Sequence, residues 1–270
     1  MAIVETGSAY PPELHVLRDL AFEVQPGVDS NRVWMPVNPF VCNERGRVHA
    51  GLVITMIDAI CGGLAAVTAA PGWIATADLT FHAVRPLVAK EIAGEARVKR
   101  AGRTTIVLTT EVHNENAETL AVATATFSVL PRRDSNPLLE SPQNNAERRE
   151  AFLGGRRELT KPVYDLCGFE RRSDGAVEVA ATEYIRNSLG GIQGGILGSL
   201  ADAATVSALG DDFETVDMQL TYLALAKAGP IRATPSVVER HADAGTVAVE
   251  LRDVGAERTT TRALCKGVRW

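Results

Sequence analysis

The sequence predicts an α+β protein of two similar halves, each an antiparallel sheet wrapped around one long central helix. Three observations carry that prediction. The chain repeats itself; each repeat holds a helix-length run that is apolar on nearly every face; and alternating apolar and polar segments follow that run.

The repeat is read directly. "NERGRVHAGLVITMIDA" (43–59) aligns with "NSLGGIQGGILGSLADA" (187–203) at a constant offset of 144, pairing Asn43/Asn187, Gly46/Gly190, Val48/Ile192, His49/Gln193, Gly51/Gly195, Asp58/Asp202 and Ala59/Ala203. The register then shifts by five. "TADLTFHAVRP" (76–86) aligns with "TVDMQLTYLAL" (215–225) at offset 139, pairing Thr76/Thr215 and Asp78/Asp217, and that offset carries on through Val98/Val237, Glu111/Glu250 and Glu118/Glu257. A shared order over about a hundred residues marks a duplicated domain.

The elements follow in order. A strand such as "RVWMPV" (32–37) or "GAVEVAAT" (175–182) opens each half, and a Gly-punctuated turn leads into a helix. The helices "AGLVITMIDAICGGLAAVTAA" (50–70) and "GGILGSLADAATVSALG" (194–210) are hydrophobic all round, which predicts burial. Strands come next at 74–84, 91–102, 104–115 and 119–130, and again at 215–225, 230–241, 246–254 and 258–270. The period-two alternation in "TIVLTTEVHN" and "VAVELRDV" predicts antiparallel strands with one covered face. Between the halves, 131–159 is rich in Pro, Asn, Ser and charge and reads as a linker, with a short helix expected in "AERREAFLG" (146–154). The expected organisation is a domain over 1–133, a linker over 134–160 and a second domain over 161–270.

Composition excludes several classes. A net charge of −5 argues against a nucleic-acid partner, whose footprint would be basic. The opening "MAIVETGSAYPPELH" has no basic region followed by an apolar stretch, so no signal peptide is expected, and Asp58 and Asp202 break the longest apolar runs short of a spanning helix. Cys42, Cys61, Cys167 and Cys265 form no CxxC pair and are expected as reduced thiols in a cytoplasmic protein. The five histidines show no HExxH or His/Cys cluster, so catalysis without metal or bound cofactor is the expectation.

These residues resemble the hotdog-fold thioesterases of the phenylacetate-pathway type. That family's pattern is an Asn, a nearby Gly, a His-Gly-Gly opening the central helix, and an acid seven residues beyond the second Gly. Here it reads Asn43, Gly46, His49-Ala50-Gly51, Asp58, and again Asn187, Gly190, Gln193-Gly194-Gly195, Asp202. The family's later Ser/Thr-x-Asp matches Thr76-Ala77-Asp78 and Thr215-Val216-Asp217, and "RVKRAGRT" (97–104), with Arg100 and Arg103, resembles its basic hairpin near the CoA phosphates. Ala50 departs from the first Gly and Gln193 from the His.

The resemblance implies a tandem double hotdog that cuts an acyl-CoA to a free acid and CoA, with the two halves paired as an intramolecular pseudo-dimer that can assemble into larger homo-oligomers. It implies composite sites. One combines Asp58 and Thr76 with Asn187, Gln193 and Gly194; the other combines Asp202 and Thr215 with Asn43, His49 and Ala50. The glycines of 46–51 and 190–195, Gly51 and Gly195 among them, would let the pantetheine arm of the substrate approach the backbone. An amide at a helix N-terminus would hold the developing oxyanion, while the Asp serves as general base or nucleophile. The residues also fit plainer roles: the acids as satisfied core groups, the Asn pair as turn formers, the Thr pair as strand residues, His49 as packing, Arg100 and Arg103 as a solvated hairpin tip. A hotdog module that binds acyl-CoA without hydrolysis, or an enzyme with one active half, are the alternatives.

Overall fold

The computed structural model of the protein describes residues 11–27, 29–132, 150–151 and 158–270. The N-terminal half runs α1 (Val16–Asp19), β1 (Glu23–Pro26), β2 (Ser30–Pro36), a 3-10 turn (Pro39–Val41), α2 (Ala50–Ala69), β3 (Trp73–Ala83), β4 (Glu91–Ala101), β5 (Thr105–His113) and β6 (Thr119–Leu130). A short strand, β7 (Glu150–Ala151), follows. The C-terminal half repeats the order with α3 (Val163–Cys167), β8 (Glu170–Arg171), β9 (Val177–Val179), a 3-10 turn (Glu183–Ile185), α4 (Gly194–Leu209), β10 (Glu214–Tyr222), β11 (Ile231–Arg240), β12 (Ala244–Asp253) and β13 (Arg258–Val268).

The strands form one antiparallel sheet in the order β7-β1-β2-β4-β5-β6-β3-β10-β13-β12-β11-β9-β8. The halves join where β3 pairs with β10, Leu79 opposite Leu220 and His82 opposite Asp217. Burial alternates along β5 and β12, so one face of each strand is covered. The covered faces close over α2 and α4, and Phe81, Phe127, Met35, Leu52, Ile54, Met56 and Ile57 fill the space between helix and sheet.

The two helices lie against each other in antiparallel sense, and their glycines set the distance. A Cβ built on Gly51 would lie 2.4 Å from the Ser199 Cα, and one on Gly195 would lie 2.4 Å from the Thr55 Cα. Only hydrogen fits at either crossing. The Thr55 and Ser199 hydroxyls, equivalent in the repeat, meet at 3.1 Å between the crossings.

Two expectations need correction. Residues 150–151 are a strand paired with β1, not part of a helix, because the segment meets the open edge of β1; the rest of 134–157 lies outside the described residues. α2, at 20 residues, does have the length and hydropathy of a membrane-crossing helix despite Asp58, yet 78% of that window is buried within the fold. One carboxylate in twenty residues does not lower the mean hydropathy enough to exclude it.

Candidate active site

Each helix is entered from a turn built by its asparagine. Asn43 Oδ1 accepts from the Arg45 and Arg47 amides at 3.0 and 3.1 Å, and Asn187 Oδ1 accepts from Leu189 and Gly191 at 2.9 and 3.0 Å. Gly46 (φ +72°) and Gly190 (φ +74°) supply the left-handed residue that each turn requires. The asparagine side chains therefore organise the loops. Asn187 Nδ2 donates to the Ile192 carbonyl, and Asn43 Nδ2 donates across the domain boundary to Glu214. Glu214 also takes two bonds from Arg47 at 2.9 and 3.0 Å, which fastens the first helix-entry loop to β10.

Antiparallel packing brings the acid of each helix to the N-terminus of the other. The Gly195 amide donates to Asp58 Oδ2 at 2.9 Å, and the Gly51 amide donates to Asp202 Oδ2 at 3.2 Å. A carboxylate there satisfies an amide that the helix leaves unpaired and meets the positive end of its dipole. The amides that meet the acids are those of Gly195 and Gly51, one residue beyond Gly194 and Ala50. Helical phase decides this: Gly194 turns its Cα toward Asp58, where a Cβ would stand 2.9 Å from Oδ2.

Thr76 and Thr215 both sit at β-bulges, where the register slips between Thr76 and Asp78 on β3 and between Thr215 and Asp217 on β10. In a regular strand residues two apart share a face; the extra residue breaks that rule. Asp78 and Asp217 instead make exposed contacts with Thr221 and with His82 on the neighbouring strand.

Beyond this framework the two sites differ. Around Asp58, Thr76 Oγ1 donates to Oδ1 at 3.0 Å while Gly195 occupies Oδ2, so both oxygens have partners. Asp58 is 7% exposed, and burial pushes its carboxyl above the usual range against the pull of those two bonds. Tyr222 closes that side, its hydroxyl donating to the Gly194 carbonyl at 2.9 Å.

Around Asp202, 2% exposed, Oδ2 accepts from both the Tyr164 hydroxyl, at 2.6 Å, and Gly51, while no donor among the described residues meets Oδ1. A pocket of about 40 Å³ opens here, lined by Asp202, Thr215, Asn43, His49, Ala50 and Ala83 among others, with Arg85 and Asp211 also on its wall. Thr215 is 3% exposed and its hydroxyl has no partner among the described residues. The Leu52 and Val53 amides both bond to the His49 carbonyl and Gly51 bonds to Asp202; no acceptor meets the Ala50 amide among the described residues. Burial lowers His49 against the opposing fields of Asp202 and Glu214, which favours a neutral imidazole.

The repeat explains the asymmetry. Positions lining the Asp202 pocket at Ala83, Arg85, Glu214 and Phe213 correspond, at offset 139, to Tyr222, Ala224, Ala75 and Ile74 around Asp58. One site carries a charged rim and a small floor; the other carries a tyrosine where the floor would be. Sequence reading alone overlooked Tyr222 and Tyr164, although Ala83 set against Tyr222 was a visible signal. Arg100 and Arg103 are exposed on the β4–β5 hairpin and are not among the pocket's lining residues. Among the described residues, no group of three His, Cys, Asp or Glu side chains converges as a metal site.

Two sheet-wrapped helices paired in this way define the class: a double hotdog protein, with both domains in one chain. Residues 45–121 match the model of the thioesterase superfamily. Solved structures extend the likeness to the whole chain. The tesB protein of Mycobacterium avium subspecies paratuberculosis is 13% identical, with a TM-score of 0.64, the match covering 94% of this chain and 97% of that one. An acyl-ACP thioesterase from Bacteroides thetaiotaomicron is 12% identical, with a TM-score of 0.59 over 88% and 97% of the two chains. At these identities the likeness is one of fold. No curated protein matches the sequence.

Proposed function

We propose that the protein hydrolyses an acyl-CoA thioester to the free acid and CoA, and that the Asp202 pocket is where it does so. The observation that carries this is that three polar groups without a partner among the described residues belong to residues lining one opening: Asp202 Oδ1, the Thr215 hydroxyl and the Ala50 amide. Unmatched polar groups in a buried site are costly, and a substrate that satisfies them recovers that cost.

In this reading the thioester carbonyl oxygen sits at the Ala50 amide in the first turn of α2, where the helix dipole favours developing negative charge. Asp202 Oδ1 takes a proton from water as it adds to the carbonyl carbon, with Thr215 orienting that water. Collapse of the tetrahedral intermediate breaks the C–S bond, and the thiolate leaves and is protonated. Direct attack by Oδ1 would instead form a mixed anhydride that water then opens, with the same products. Neutral His49 lines the acyl path as a positioning group. The enzyme needs no cofactor, and the cytoplasm, where acyl-CoA is made and spent, is its expected place.

A single working site is favoured over two. Each Asp58 oxygen already has a donor, whereas Asp202 Oδ1 has none among the described residues, and burial raises the Asp58 carboxyl above the usual range. The test is a panel of acyl-CoAs assayed by thiol release. Asp202→Asn is expected to lose at least a hundredfold in kcat/KM, on the scale of removing a catalytic group, and Asp58→Asn to stay within about threefold. Acyl-CoA binding without turnover in the wild type would instead leave a binding module.

A further inference from the structure

The Asp202 site contains a residue that the repeat does not supply to the Asp58 site. Tyr164 is the second residue of α3, where α1 carries Leu17 at the matching place. It reaches Asp202 because Gly51 is bare: a Cβ on Gly51 would lie 2.4 Å from the Tyr164 hydroxyl oxygen. The ring is held on both sides, stacked on His49 with centroids 4.3 Å apart and 28° between planes, and tilted against Phe169 at 4.9 Å.

We propose that Tyr164 is the positioning residue of this site: it ties Asp202 down through Oδ2, so that Oδ1 alone is presented to water and substrate. The proposal rests on the thioesterase reading above and deepens it. Comparison with Asp58 shows the consequence. There the threonine of the bulge takes the second oxygen. Here two donors share Oδ2, and Thr215 is left free to face the pocket. A tyrosine from outside the repeat has thus released both a carboxylate oxygen and a hydroxyl for chemistry.

Tyr164 suits the task. Burial and the neighbouring carboxylate push its phenol well above the ordinary range, so it remains a donor. The other titratable or charged groups facing Asp202 do not duplicate it. His49 lies ahead of α2 and is lowered by burial; Glu214 of β10 is spent on Arg47; Cys265 of β13 is a thiol pushed up to about 12; Arg85 and Asp211 stand on the pocket wall.

Tyr164→Phe keeps the ring stack and removes only the hydroxyl. The expected result is a ten- to hundredfold fall in kcat with KM within about threefold. A readout independent of turnover accompanies it: the 13C chemical shift of the Asp202 carboxyl carbon, labelled and assigned by its loss in Asp202→Asn, should move at neutral pH in Tyr164→Phe because one hydrogen bond to Oδ2 is gone. A kcat and a carboxyl chemical shift that both match the wild type overturn the proposal. If the wild type cleaves no thioester, the functional reading fails, and the carboxyl chemical shift still decides whether Tyr164 holds Asp202.

Discussion

The Gly195 amide lies 2.9 Å from Asp58 Oδ2, and these two residues are 137 positions apart in the chain. Its mirror bond, Gly51 to Asp202, closes the same arrangement in the opposite direction. Each helix thus caps the other, and the halves are tied by buried hydrogen bonds as well as by their shared sheet. A buried bond to a charged group contributes about 1.5–3 kcal/mol, and losing one partner costs more than the bond was worth.

The small residues at the helix crossing are therefore expected to be intolerant. Gly51→Ala and Gly195→Ala each drive a methyl into backbone at 2.4 Å. Overpacking of this kind costs about 1–3 kcal/mol, and more where backbone must move. Gly63, in mid-α2 with nothing within 4 Å of a built Cβ, provides the contrast: Gly63→Ala should stabilise by about 0.5–1 kcal/mol. Urea midpoints for the three variants check the ordering, and an unperturbed Gly51→Ala would contradict the crossing geometry.

Tyr222 and Ala83 should exchange roles when exchanged. Ala83→Tyr places a ring in the Asp202 pocket and is expected to abolish turnover while the fold persists. Tyr222→Ala empties a half-buried site and removes the bond to the Gly194 carbonyl, costing about 2 kcal/mol of stability with activity retained. Thiol-release rates set beside melting curves separate the two effects. Loss of activity in Tyr222→Ala at full folding would mean that the Asp58 side takes part in catalysis.

His49 predicts an acid-side loss of stability. Its folded-state pKa is lowered by burial below the ordinary 6.5, so the unfolded chain takes up the proton first as pH falls. That stability is complete above about pH 6.5 and is lost as pH drops toward the lowered value. His49→Gln, which copies Gln193 of the second repeat, should lose less stability on acidification than the wild type. His15, also lowered by burial, leaves a residual slope in that variant. Denaturant unfolding at neutral and mildly acidic pH provides the measurement; identical slopes in the two proteins would exclude a buried neutral His49.

Much of this was legible beforehand because it depends on local rules. Asn43 with Gly46 and Asn187 with Gly190 announce helix-entry turns through αL geometry alone, and the helix starts at Ala50 and Gly194 follow from them. Strand alternation depends only on a period of two. The pairing of Asp58 and Asp202 as equivalent residues came from the repeat.

What tertiary structure decided is the identity of each partner. Which amide meets each acid depends on the phase and separation of two helices that cross backbone to backbone at Gly51, Ser199, Thr55 and Gly195. Which acid keeps an oxygen without a donor among the described residues turns on Tyr164, brought by α3, and the Asp202 pocket is lined by Ala83 where the equivalent Tyr222 bonds the Gly194 carbonyl beside Asp58. The sequence by itself determined two equal halves, because duplication and periodicity are properties of order along the chain. Their inequality arises from side chains distant in that order that compete for the same few ångströms, and only the folded packing settles such a competition.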